Sequence, residues 1–289
     1  MSRDVAPPEV LLLGAIASVQ FGAALADKLF AQAGPAGVVL VRLLFAATIL
    51  LTLARPTLRH LPRADLLGAG AFGAVLAGMN WSFYEALDRL PLGVAVTIEF
   101  VGPLAVAVAG SRRKLDVLWV VLASSGVGLL AANSGNSGVH ALGILFVALA
   151  ATCWALYILL SQRVGATFAQ LDGLAIALGV GAVLAIPAGV VQGGTKLLRP
   201  EVLGGGLAVA LLSSLVPYSL ELIALRRLSA SSFGLLMCLQ PAVATMAGVV
   251  VLHERVTLTL VVALVLVVVA SAGSTLAARR RAPLAAVEP

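Results

Sequence analysis

Charge is what this chain has least of. Of its 289 residues only 11% are Asp, Glu, Lys or Arg, while 61% are hydrophobic, and the mean hydropathy is +1.07. A soluble domain needs a polar coat and carries about 25% charged residues, so composition excludes a soluble fold. Cysteine is nearly missing too. Cys153 and Cys238 both lie inside apolar runs, which excludes a disulfide framework or a metal-spaced cluster and reads as small core residues. The three histidines, His60, His140 and His253, all fall between apolar runs, so no Ser-His-Asp set forms at depth. A Gly-rich phosphate loop is also lacking. The expectation is a protein that is not an enzyme and uses no metal, cofactor or ATP. The net charge of +6 does not indicate nucleic acid, because the basic residues sit in short loops, where they set membrane orientation.

What is present is apolar sequence in lengths suited to a bilayer. About 20 such residues cross roughly 30 Å of hydrocarbon. The fold class expected is an all-α integral membrane protein of ten transmembrane helices, near 9–29, 35–54, 66–87, 91–110, 116–133, 139–161, 172–191, 203–224, 230–251 and 257–277. Arg3, the run from Val10 and Ala24-Leu25-Ala26 have the outline of a cleaved leader. Asp4 and Glu9 make that segment acidic and Gln20 interrupts its run, so it is read as a retained first span. Cytoplasmic termini place 13 Lys and Arg inside and five outside, the bias that the positive-inside rule demands.

The halves resemble each other. Ala86-Leu87, Pro103 and Gly110 align with Ala224-Leu225, Pro241 and Gly248 at a constant shift of 138 residues. The expected division is a five-helix repeat over 1–135, a second over 136–281 and a cytoplasmic tail over 282–289, with a turn at Asn133–Gly138 between the halves. Five is odd, so the second repeat is inverted, an arrangement that places a solute site near the midplane. Small residues four apart, Gly70, Ala74 and Gly78, and again Gly181, Ala185 and Gly189, suit close helix packing.

Ionisable groups at membrane depth cost about 2.5–3.5 kcal/mol on insertion scales and usually face the bundle interior. Glu99 is the foremost candidate. Pro103 lies four residues on and has no N–H, so the Glu99 carbonyl loses its helical partner beside the carboxyl group. That patch suits an ammonium or a proton; a protonated structural Glu at a kink is the plainer reading. Arg42 is the natural counter-charge, either paired with Glu99 or meeting a substrate carboxylate. Asn80 and Tyr84 share a helix face, as do Trp154 and Tyr157, and Gln20 is mid-span. Each can line a cavity, although interior packing also suits the two aromatics of the sixth span. Glu221 shares a face with Tyr218 and follows Pro217 by four, while Pro241, after Gln240, breaks the ninth span. Glu85 is expected to reach the interface from a span end, and His253-Glu254-Arg255 to form a solvated turn.

The stretch GMNWSFYEALDRLPLGVAVTIEFVGPLAV at Gly78–Val106 resembles the bacterial threonine and homoserine exporters, of the EamA type of the drug/metabolite transporter superfamily. ASVQFGAALADKLF at Ala17–Phe30, CWALYILLSQRVG at Cys153–Gly165 and PYSLELIALRRL at Pro217–Leu228 add to that resemblance. It implies a multi-pass protein of the bacterial inner membrane that exports small amino acids by proton antiport. The partners implied are the amino acid, protons and the lipid bilayer. The same fold also serves exporters of other metabolites or drugs, and a non-transporting scaffold is the rival from another class. The shared polar positions carry over as Gln20, Arg42, Asn80, Tyr84, Glu99, Tyr218 and Glu221. Gln240 stands where similar proteins often carry Glu, and Glu85 where they are usually apolar.

Overall fold

Hydrocarbon offers no partner to a backbone N–H or C=O, so a chain crossing it must bond to itself. Among the described residues every regular element is accordingly a helix. The computed structural model describes residues 6–56, 62–109, 114–132, 140–168, 171–225, 228, 233 and 236–279. Its helices are α1 (Pro8–Ala54), α2 (Arg63–Leu87), α3 (Leu92–Glu99), α4 (Val101–Ala109), α5 (Lys114–Ala132) and α6 (Ala141–Thr167). They continue as α7 (Asp172–Gly193), α8 (Pro200–Ala210), α9 (Val216–Leu225), α10 (Gln240–Ala247) and α11 (Leu258–Arg279). Five stretches among the described residues are long and apolar enough to cross a membrane: Pro8–Ala54, Arg63–Leu87, Ala141–Thr167, Asp172–Leu198 and Leu258–Leu276.

Proline sets several helix starts, where its missing N–H costs nothing and its fixed φ suits the first turn. Pro8 and Pro200 stand in the first turns of α1 and α8, and Pro62 and Pro91 immediately precede α2 and α3. The interruptions are more informative. The first two expected spans have no loop between them; helix runs to Ala33 and bends at Gly34, whose φ of 71° and ψ of 161° are open essentially to glycine alone. The fourth expected span is two short helices, α3 and α4, broken at Phe100. The eighth is α8 and α9 joined through a π-helical turn, Leu211–Leu215, and a second such turn, Gly248–Leu252, follows α10. The expected turn at Asn133–Gly138, the tail 282–289 and the first part of the ninth span lie largely outside the described residues.

α1 lies at the centre, packed against α7, α8 and α9, while α2 packs on α6, α3 on α10, and α5 on α11. The small-residue prediction holds only in part. Nothing lies near Gly70, whereas the neighbouring Gly73 carries the close approach, a Cβ there falling on the Ala177 carbonyl of α7. Leu142, Leu145, Leu149, Leu156 and Leu159 make an exposed apolar stripe along α6. Such a face is costly in water and at home against lipid. The chain is a multi-pass membrane protein.

Candidate functional site

Where α1, α2, α3, α6, the first π-turn, α9 and residues 237–240 converge lies a cavity of about 180 Å³. Gln20, Arg42, Asn80, Tyr84 and Glu99 line it, and so do Trp154, Tyr157 and Glu221. These groups are far apart in sequence, and the fold brings them to one place. Gln20, Arg42, Asn80 and Glu99 are all buried. Tyr218 lies on α9, and its side chain is outside the described residues. Pro103 sits on α4 just after the break at Phe100, and Pro241 in the first turn of α10.

Arg42 is seated by neutral groups. It donates to the Tyr84 hydroxyl at 3.0 Å, to the Ser213 carbonyl at 3.0 Å and to Ser214 Oγ at 3.5 Å. Its guanidinium also lies 5.6 Å from the centre of the Tyr84 ring. No hydrogen bond or ion pair joins it to Glu99 among the described residues, so the structural pairing considered for these two does not form. Both side chains line the cavity instead. Tyr84, fully buried, stacks at a tilt on Phe30 with centroids 5.4 Å apart, which fixes the hydroxyl that Arg42 uses.

Three buried polar atoms on cavity residues have no hydrogen-bond partner among the described residues: Arg42 Nε, Gln20 Oε1 and Ser213 Oγ. Buried polar groups are paired in most proteins, and an orphan costs about 1–3 kcal/mol. Two more such atoms, Trp119 Nε1 and Ser271 Oγ, lie on residues away from the cavity. Gln20 Nε2 donates across the bundle to Gln240 Oε1 at a long 3.4 Å. Asn80 donates back to the Leu76 carbonyl at 2.8 Å. Trp154 packs edge-on to Phe100 and Tyr157 lies against Phe72, so the cavity's aromatics are wall and packing at once.

Sequence reasoning missed Ser213 and Ser214, and the signal was present in Pro217. Residue 217 has no N–H, so the Ser213 carbonyl, four residues earlier, has no ordinary helical donor. Leu212 is deprived as well, since its usual donor, the Val216 N–H, bonds to Leu211 in the π-turn. Side chains of α1 take both freed carbonyls: Arg42 that of Ser213, and Ser18 Oγ that of Leu212 at 2.6 Å.

With this geometry in view, the comparisons are decisive. Threonine/homoserine exporter RhtA of Salmonella typhimurium is 41% identical over 282 residues, spanning 97% of this chain and 95% of that protein. Residues 141–276 match the model of the EamA-like transporter family. The chain belongs to that family. RhtA of Escherichia coli K12 is likewise 41% identical over 278 residues, 96% of this chain and 94% of its own. A solved crystal structure with 20% identity superposes with a TM-score of 0.64 over 94% of this chain and 98% of its own, which shows a shared fold. A member of the EamA-like family is a transporter and not an enzyme.

The structure corrects two surface assignments and gives this EamA-like chain an account of Glu85. Glu85 does not reach the interface; it is buried. Its carboxylate accepts from Arg89 at 2.7 Å and from Gln192 Nε2 at 3.5 Å. The same Gln192 accepts the Ala36 N–H through Oε1, so α7 ties the bend in α1 to the end of α2. Glu254, expected in a solvated turn, is half-buried and accepts the Leu92 N–H at 2.8 Å, closing the N-terminus of α3. Burial pushes its carboxyl above the ordinary range, against a smaller opposing pull from the Leu92 and Gly93 N–H groups.

Proposed function

We propose that this chain exports a small zwitterionic amino acid, of the threonine or homoserine kind named for its relatives, in exchange for protons. The observation that carries the reading is Arg42. A buried guanidinium that lines the cavity, and whose hydrogen bonds all go to neutral oxygens, keeps its charge available for a carboxylate. Glu99, unpaired with Arg42 and lining the same cavity, takes the ammonium or the exchanged proton. Size favours a small solute, since drug-sized sites run to about 300–1,000 Å³ and this cavity is about 180 Å³.

The reading extends to architecture: ten spans as two inverted five-helix repeats, 1–135 and 136–281, in the bacterial inner membrane with both termini cytoplasmic. Contacts between helices support it. The first span meets the eighth through α1 with α8 and α9, and the third meets the sixth through α2 with α6. Exchange of halves maps one pair onto the other. The family match at 141–276 falls within the second proposed repeat.

Glu99→Gln tests the coupling. In vesicles holding the purified chain, a pH gradient drives labelled threonine through the wild type, and the variant loses this drive. Proton-coupled exchange at the wild-type rate in the variant refutes the role of Glu99.

A further inference from the structure

We infer that Pro217 is a positioning residue for carboxylate recognition: by removing one N–H it hands the Ser213 carbonyl to Arg42 and so aims the guanidinium at the cavity. The inference rests on the reading of Arg42 above and deepens it. Arg42 donates to two neutral oxygens at 3.0 Å, one a phenol and the other this main-chain carbonyl. The carbonyl is open to it because its helical donor would be the amide of residue 217, and proline has none. The π-turn Leu211–Leu215 is therefore a receptor for α1, taking Ser18 on the Leu212 carbonyl and Arg42 on the next. Gly22 permits the approach, since a Cβ there would fall on Ser213 Oγ. The two terminal nitrogens carry four N–H groups and make three hydrogen bonds among the described residues, so one N–H of Nη1 is left for an anionic guest in the cavity that Arg42 lines.

Pro217→Ala supplies the missing N–H. The Ser213 carbonyl then has a donor within its own helix, and Arg42 loses an aligned acceptor.

The test uses the full chain in vesicles, with labelled threonine as the transported probe. Unlabelled threonine and its carboxamide, which lacks the negative charge, compete with it. Wild type is expected to be inhibited far more strongly by the acid than by the amide. In Pro217→Ala that preference shrinks about tenfold, the size of one charge-assisted hydrogen bond. A general folding defect weakens both competitors alike and leaves the ratio where it was. Pro187→Ala, a mid-helix proline exposed on α7, keeps the wild-type ratio.

Pro217→lactic acid, placed by nonsense suppression, restores an unprotonated ester oxygen without the ring and is expected to recover the preference. Failure of the lactic acid variant to do so, or an unchanged ratio in Pro217→Ala, overturns the inference. Equal inhibition by acid and amide in the wild type instead removes the carboxylate reading of Arg42 itself.

Discussion

A charged or amide side chain within an apolar run is conspicuous, which is why Gln20, Arg42, Asn80 and Glu99 were legible one by one. Their burial around one cavity follows from the cost of leaving them in lipid. Ser213 was not legible, because serine is unremarkable in a membrane helix and the atom that matters is a carbonyl every residue possesses. Glu254 was misjudged for a related reason: His253 and Arg255 beside it are exposed, and nothing in three adjacent polar letters says which one turns inward. Its chemistry makes a prediction. Burial raises the Glu254 carboxyl above its ordinary value of 4.5, so the folded state binds its proton more tightly than the unfolded state. That contribution is present at low pH and lost as pH rises from the ordinary value through the folded one. Thermal unfolding in detergent should show wild-type stability falling relative to Glu254→Gln across that interval. Parallel curves for the two proteins would contradict the assignment.

At the scale of elements, apolar runs located the helices well because length in lipid is dictated by the bilayer. The joints between them were harder. A loop was expected around residues 30–34, where the chain turns on Gly34 alone, with Pro35 opening the next helix. The bend depends on an outside support that no local pattern reveals, the Gln192 side chain of α7, which takes the Ala36 N–H and reaches Glu85. Gln192→Ala leaves both without that partner. It should cost about 1–3 kcal/mol, the penalty of an unsatisfied buried group, measured as a lower midpoint on thermal unfolding. Amides of residues 33–38 should exchange hydrogen faster as well. A variant unchanged in both measurements would show that Gly34 and Pro35 hold the bend unaided. The first π-turn escaped the sequence because it arises from a contest between donors, in which Pro217 removes one and the Leu211 carbonyl captures another.

For the whole molecule, composition settled the lipid environment, and the resemblance along the chain pointed to the family that the comparisons show. Orientation is the testable remainder. In a background with Cys153 and Cys238 replaced, Lys196→Cys should react with a membrane-impermeant thiol reagent in intact cells, and Arg55→Cys only after the membrane is opened. The reverse pattern would invert the proposed topology.

Arg42 is bolted to two frames: Tyr84 belongs to the first proposed half and Ser213 to the second. Rocking of one half against the other would therefore have to shear a bolt. The positive pole would swing with whichever frame keeps it, so the passenger's own charge, bridging the gap while a bolt is undone, would decide how easily the machine turns over.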